Sequence, residues 1–194
     1  AVAAALFALS NNTMFALLHE SVHGSFAPDR RLNAWCGRLA AFWFPTGFAV
    51  QRMFHLTHHR NNRSPSEQFD TLHDGDVLWL KYAQWYAILT GLYWPCAVIG
   101  VFFYAATPRF VRRGGLQSGA EDYIGSLARL PQLSARLEIF GAAAWQLFWA
   151  WLFGWTWGGW LACYAAFGFA WSSLQYTDHA FSPFDCKNGA WNLR

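Results

Sequence analysis

The stretch Arg52-Met53-Phe54-His55-Leu56-Thr57-His58-His59-Arg60 puts three of the chain's 7 histidines into five positions. On a helix, His55, His58 and His59 stand at i, i+3 and i+4, so all three can face one point. The adjacent pair His58 and His59 diverges by about 100 degrees, which suits two metal ions better than one. Upstream, an apolar run over residues 1–18 leads straight into His19-Glu20-Ser21-Val22-His23. If that helix continues, His19 and His23 lie one turn apart on one face. Neutral imidazole is the commonest metal ligand and suits Zn, Cu, Fe and Ni. A lone histidine in an apolar segment is ordinarily structural. Five of them at polar–apolar boundaries have little structural reason to exist. We therefore expect these clusters, with His179 downstream, to be pieces of one metal site.

The surroundings point to a membrane. The chain of 194 residues is 55% hydrophobic and 20% aromatic, with 13 Trp and 18 Phe. Only 13% is charged, about half the usual soluble share. A soluble domain of this length could not hide so much apolar surface, so the expected class is an all-α integral membrane bundle with a histidine cluster at its cytoplasmic face. The net charge of +3 gives no sign of a nucleic-acid partner. Lys81 and Lys187 are the only lysines, an Arg-rich bias that hints at a bacterial source. The four cysteines, Cys36, Cys96, Cys163 and Cys186, form no CxxC pair and read as unpaired thiols. The chain starts inside an apolar segment and stops at Arg194 in what reads as mid-segment, so it is expected to be a partial domain truncated at both ends.

Taken in order, membrane spans are expected at about 1–18, 139–156 and 159–176. The polar Asn11, Asn12 and Thr13 within the first span read as helix–helix packing. Residues 34–54, interrupted by Arg38, Pro45, Gly47 and Arg52, read as a helix lying in the interface. Residues 82–106 carry Gly91 and Pro95 in mid-run and read as a re-entrant or in-plane segment. Basic residues concentrate in 24–81 and 107–137, which places both on the cytoplasmic side. A rival topology makes 82–106 a full span; both arrangements keep His179 with the other histidines. The many Trp residues read as interfacial belts and helix packing, and His73, outside both clusters, as a surface residue.

These motifs resemble those of the membrane fatty acid desaturase family. His19 and His23 match its HxxxH box, and His55, His58 and His59 match its HxxHH box. Gln175 and His179 match the ends of an NxxxH-like motif, with Gln in place of Asn. The family's third box is missing and is expected beyond Arg194. The resemblance implies a non-haem centre of two iron ions that activates O2 and introduces a double bond into a fatty acyl chain. It implies a lipid substrate, and electrons from a ferredoxin or a cytochrome b5-type donor. The implied metal ligands are His19, His23, His55, His58, His59 and His179, with Gln175, Asp178, Glu20 and Asp70 as supporting or water-mediated partners. The bacterial inner membrane is the expected location. Hydroxylases and ketolases acting on alkanes, sterols or carotenoids share the scaffold. A different class also fits part of the sequence: His19-Glu20-x-x-His23 is the signature of a zinc metalloprotease, with Glu as general base. That motif leaves His55, His58 and His59 without a role.

Overall fold

The computed structural model describes residues 1–64, 67–107 and 121–180, apart from the side chains of 121–124, 178 and 179. Among these residues the chain is all-helical. The helices are α1 (Val2–His23), α2 (Arg30–Trp43), α3 (Phe48–Asn61), α4 (Leu78–Leu89), α5 (Tyr93–Ala106), α6 (Glu121–Arg129), α7 (Gln132–Leu152) and α8 (Trp157–His179). Helix α1 packs against α2, α3 and α8. Helix α8 also touches α4 and α5, and α7 packs against α2, α3 and α5.

Each helix stops for a local reason. At the end of α1, Gly24 takes φ 81, and the Gly24 and Ser25 amides donate back to the Ser21 and Glu20 carbonyls. This left-handed cap favours glycine because a Cβ there crowds the backbone. The turn into α2 is clamped by Asn33, whose side chain donates to the Ser21 carbonyl at 2.7 Å and accepts from the Ala27 amide at 3.2 Å. Asp29 then caps α2 by accepting from the Leu32 amide at 2.7 Å.

The interfacial segment expected over 34–54 is two helices, not one. Pro45 removes an amide and disfavours helical backbone before it, so α2 ends at Trp43 and α3 restarts at Phe48. Helix α3 then runs unbroken through all three histidines of the HxxHH stretch. Its first turn is tied down by Glu138 of α7, which accepts from the Ala49 amide and from Arg38, both at 2.7 Å.

The apolar run over 82–106 is also broken. Helices α4 and α5 meet at 95° across Gly91, which has φ 91. A Cβ there would lie 2.6 Å from the Phe169 backbone nitrogen, so both conformation and close packing require glycine. Helix α1 is the one helix among the described residues long and apolar enough by itself to cross a membrane, and α4 with α5 qualifies as a bent pair. Helices α7 and α8 have the length, at 21 and 23 residues. Their many tryptophans count against them on a hydropathy scale, although Trp is at home at a membrane interface.

The interior is aromatic. Phe44, Tyr164, Phe167 and Trp171 are buried together with Leu18 and Val22 of α1. The end of α2 is sunk in this interior, where its carbonyls lack helical partners. Polar side chains meet them: Asn11 and Tyr164 donate to the Trp43 carbonyl, and Gln146 donates to that of Phe42. Asn11 is thus a packing residue, while Asn12 and Thr13 bond back within α1 to the Ala8 and Leu9 carbonyls. A second buried cluster joins Val50, Val101, Tyr104, Ala135 and Ile139 beneath the other side of α3. The outer faces keep large apolar residues exposed, including Trp79, Ile99, Leu133, Trp151 and Trp157.

Candidate metal centre

Two helix ends build the centre. Helix α1 delivers His19 and His23 in its last two turns, and α3 delivers His55, His58 and His59 in its own. Helix C-termini carry partial negative charge and favour a nearby cation. One ligand atom from each of His19, His23, His55 and His59 lies within 4.8 Å of the others. His55 is the hub: its Nε2 is 2.9 Å from Nε2 of His23 and 2.9 Å from Nε2 of His59. The His19 ring packs 4.5 Å from that of His55, centroid to centroid.

The donor set fits a metal ion. The Nε2 atom of His19 is buried without a hydrogen-bond partner, an arrangement that costs about 1–3 kcal/mol unless something accepts its lone pair. Burial, and then the neighbouring imidazoles, push the pKa of His55 down to about 2 and that of His59 to about 4. Both rings are therefore neutral near pH 7, the form that binds metal.

His58 faces a different partner. Its Nδ1 is 2.9 Å from Oε2 of Glu67, and both side chains are largely buried. A carboxylate on Nδ1 fixes the proton there and places the lone pair on Nε2. Its ring lies 5.7 Å from that of His59 and 6.3 Å from that of His55. Sequence reasoning did not single out Glu67. It lies nine residues beyond His58, across a helix end, among several acids that spacing cannot rank. Replacing Glu67 with Gln is expected to weaken metal binding by about 10–100-fold, the usual cost of losing such a partner; competition with a chelator measures it.

The other expected supporting residues differ in their surroundings. Glu20 reaches His19 at 3.3 Å while accepting from the Ser25 hydroxyl at 2.7 Å. Asp70 is held in a buried ion pair with Arg63 at 2.7 Å. Gln175, near the end of α8, lines a cavity together with His55, His58 and Glu67. The side chains of Asp178 and His179 lie outside the described residues. His73 is exposed, its backbone amide bonded to Asp76. Cys36, Cys96 and Cys163 are free thiols, and Cys186 lies outside the described residues.

The cavity has a volume of about 600 Å³. Away from the histidines its lining is mostly apolar, with Phe15, Phe54, Ile88, Val101 and Trp171. Three small residues on α5, Cys96, Ala97 and Gly100, widen it. A Cβ on Gly100 would meet nothing within 4 Å. The loop after α3 is fastened over one side by the Trp85 indole, which donates to the Phe69 carbonyl at 2.7 Å, and by the Phe69–Tyr176 ring contact. The site therefore combines a cluster of imidazoles with an apolar chamber that touches His55 of that cluster and the neighbouring His58.

Comparison with known proteins places this geometry in context. The family model described as fatty acid desaturase matches residues 1–194. Over 150 residues, 74% of this chain, the sequence is 25% identical to an sn-1 acyl-lipid omega-3 desaturase (ferredoxin) of Synechocystis sp. (strain ATCC 27184 / PCC 6803 / Kazusa). Over 69 residues, 34% of this chain, it is 38% identical to a beta-carotene ketolase of Paracoccus sp. (strain PC1). The matches span 39% and 28% of the lengths of those two relatives. No solved structure matches.

Proposed function

We propose, from the premise that this chain belongs to the fatty acid desaturase family, that it forms the ligand-bearing part of an O2-dependent oxidase that introduces a double bond into a fatty acyl chain. The observation that carries the reading is that His55, a member of the imidazole cluster, lines the apolar cavity together with the neighbouring His58. His19, His23, His55 and His59 would hold one part of a two-iron centre, and His58, oriented by Glu67, would serve the other, with His179 and Gln175 from the end of α8. Bound iron would supply redox activation of O2 and removal of hydrogen from an unactivated C–H bond, chemistry beyond acid–base side chains. The chain's own residues would do the positioning. Phe15, Phe54, Ile88 and Trp171 would sheathe an extended apolar chain and exclude water from it. Glu67 would hold the proton on Nδ1 of His58.

The exposed apolar residues on α1, α4, α5, α7 and α8 support an integral membrane setting, since soluble monomers rarely expose contiguous apolar patches above a few hundred Å². In that setting α1, α7 and α8 cross the bilayer, α2 and α3 lie at its interface, and the 95° bend between α4 and α5 makes them re-entrant. The clustering of arginines near the histidine face supports a cytoplasmic orientation, in a bacterial inner membrane. Electrons would come from a small soluble donor, ferredoxin being the one named for the desaturase relative.

Lipid profiling of a host expressing the intact gene tests the reading. New double bonds are expected; new hydroxyl or keto groups would favour the second reading, an oxidase of the ketolase kind, which the match to the carotene enzyme supports. Metal analysis adds a further arm, with two irons expected, whereas one zinc would favour a protease. Glu20→Gln should reduce an oxidase modestly and eliminate a protease.

Substituting Gly100 with Phe is expected to fill the cavity and shift products toward shorter acyl chains, with metal content unchanged. An unaltered chain-length profile would show that the substrate lies elsewhere.

A further inference from the structure

Helix α3 has a second working face. The histidine side uses Gln51, Phe54, His55 and His58. The other side, with Arg52, Met53, Leu56 and Arg60, lines a separate pocket of about 450 Å³ closed by α2, α6 and α7. That volume is within the range of ligand sites, roughly 300–1,000 Å³. Among the described residues, four guanidinium groups border it, from Arg38, Arg52, Arg60 and Arg129, against one carboxylate, Glu138. That carboxylate is already engaged by Arg38 and the Ala49 amide. Arg129 donates to the Ser126 hydroxyl at 3.3 Å and makes no ion pair among the described residues. Arg52 and Arg60 are exposed and make no ion pair among the described residues.

Uncompensated guanidinium groups converging on one concavity repel one another, and an anion relieves that repulsion. Guanidinium matches phosphate oxygens in a bidentate fork, and the hydroxyls of Ser126 and Ser134 in the same wall suit the remaining oxygens. The wall is also apolar in part, with Phe48, Met53, Leu130 and Pro131. A free phosphate has no use for that surface, whereas the glycerol and first methylenes of a lipid do. Basic pockets between helices on the cytoplasmic side are suited to anionic headgroups.

We propose that this pocket is a binding site for the phosphate headgroup of an anionic membrane lipid that is not the substrate. The site lies on the face of α3 that points away from the substrate cavity, so both can be filled together. The lipid fastens α3, and with it His55, His58 and His59, to the membrane surface. The inference rests on the membrane setting proposed above but not on the oxidation.

The test is native mass spectrometry of the intact protein in detergent, titrated with phosphatidylglycerol, phosphatidylcholine or inorganic phosphate. Wild type should retain phosphatidylglycerol in preference to both others. The double variant Arg52→Gln/Arg60→Gln should weaken that retention by about thirtyfold, roughly fivefold for each guanidinium removed near a membrane surface. The Arg30→Gln/Arg31→Gln protein, which loses the same charge outside the pocket, should retain the lipid like wild type. Arg129→Gln gives an independent single-site arm, with about a fivefold loss. Circular dichroism checks that each variant is folded. Equal losses in the two double variants, equal retention of phosphatidylcholine, or tight binding of inorganic phosphate alone would each overturn the proposal. So would a pocket variant that keeps its lipid but no longer accepts electrons from a reduced ferredoxin, which would make the face a protein-docking surface. Lipid retention is read without turnover, so its failure is separable from failure of the oxidase reading.

Discussion

A His55→Ala protein is expected to lose its metal and all measurable lipid oxidation. His55 is the residue on which the cluster closes: its Nε2 lies 2.9 Å from both His23 and His59, and its ring is 4.5 Å from that of His19. Removing it leaves three imidazoles, His19, His23 and His59, around a gap. The loss should exceed the roughly 100-fold that removing an outer-shell partner costs a metal site. Elemental analysis of the purified protein should find substoichiometric metal, and the host's lipid profile should revert to that of the empty vector. Because this truncation also enlarges the cavity, His59→Ala provides a second arm at a ring that does not line it. Full metal content and unchanged product in both variants would remove the cluster from the reaction.

Asp70→Asn is expected to act through stability. Asp70 and Arg63 form an ion pair at 2.7 Å, with side chains 1% and 2% exposed. Removing the carboxylate breaks a buried ion pair, which costs about 3–5 kcal/mol. Arg63 also holds the loop locally, since its carbonyl accepts from the Gln68 side chain at 3.0 Å. The loop carrying Glu67 should loosen, so metal affinity falls as a consequence. Thermal unfolding distinguishes the two effects. Asp70→Asn should lower Tm sharply, whereas Glu67→Gln should lower metal affinity with little change in the Tm of the metal-free protein. A normal Tm for Asp70→Asn, combined with weak metal binding, would instead give Asp70 a direct role at the metal.

These two acids mark where linear reading runs out. The family resemblance implies Asp70 as a supporting residue. The fold spends that carboxylate on Arg63 and sends Glu67 to His58 instead. Both lie in the segment just after α3, and composition cannot say which one turns inward. Glu20 could be placed at His19 because the two are adjacent, yet its bond to Ser25 depends on the left-handed turn at Gly24. The break at Gly91 was legible as a bend. Its second cause, the backbone of α8 at contact distance, was not. The role of Asn11 was legible only as packing, and its actual partner is a carbonyl 32 residues away. The Arg-lined pocket left no trace in spacing, because Arg38, Arg52, Arg60 and Arg129 are spread over three helices, α2, α3 and α6, before folding gathers them.

What the sequence determined by itself was periodic and local. Helical spacing put His19 above His23 and aligned His55, His58 and His59, because one turn of backbone brings i, i+3 and i+4 together whatever surrounds them. Pro45, Gly24 and Gly91 set breaks for equally local reasons. The tertiary structure decided which histidines meet. It joined two helix ends into one cluster around His55, turned His58 toward Glu67, and gave α3 an imidazole face and a guanidinium face. Those outcomes depend on packing between segments distant in the chain, through contacts such as Glu138 on the first turn of α3 and Phe44 against Trp171. No periodicity encodes such contacts, because they are set by the complementary shapes of surfaces that meet only in the folded chain.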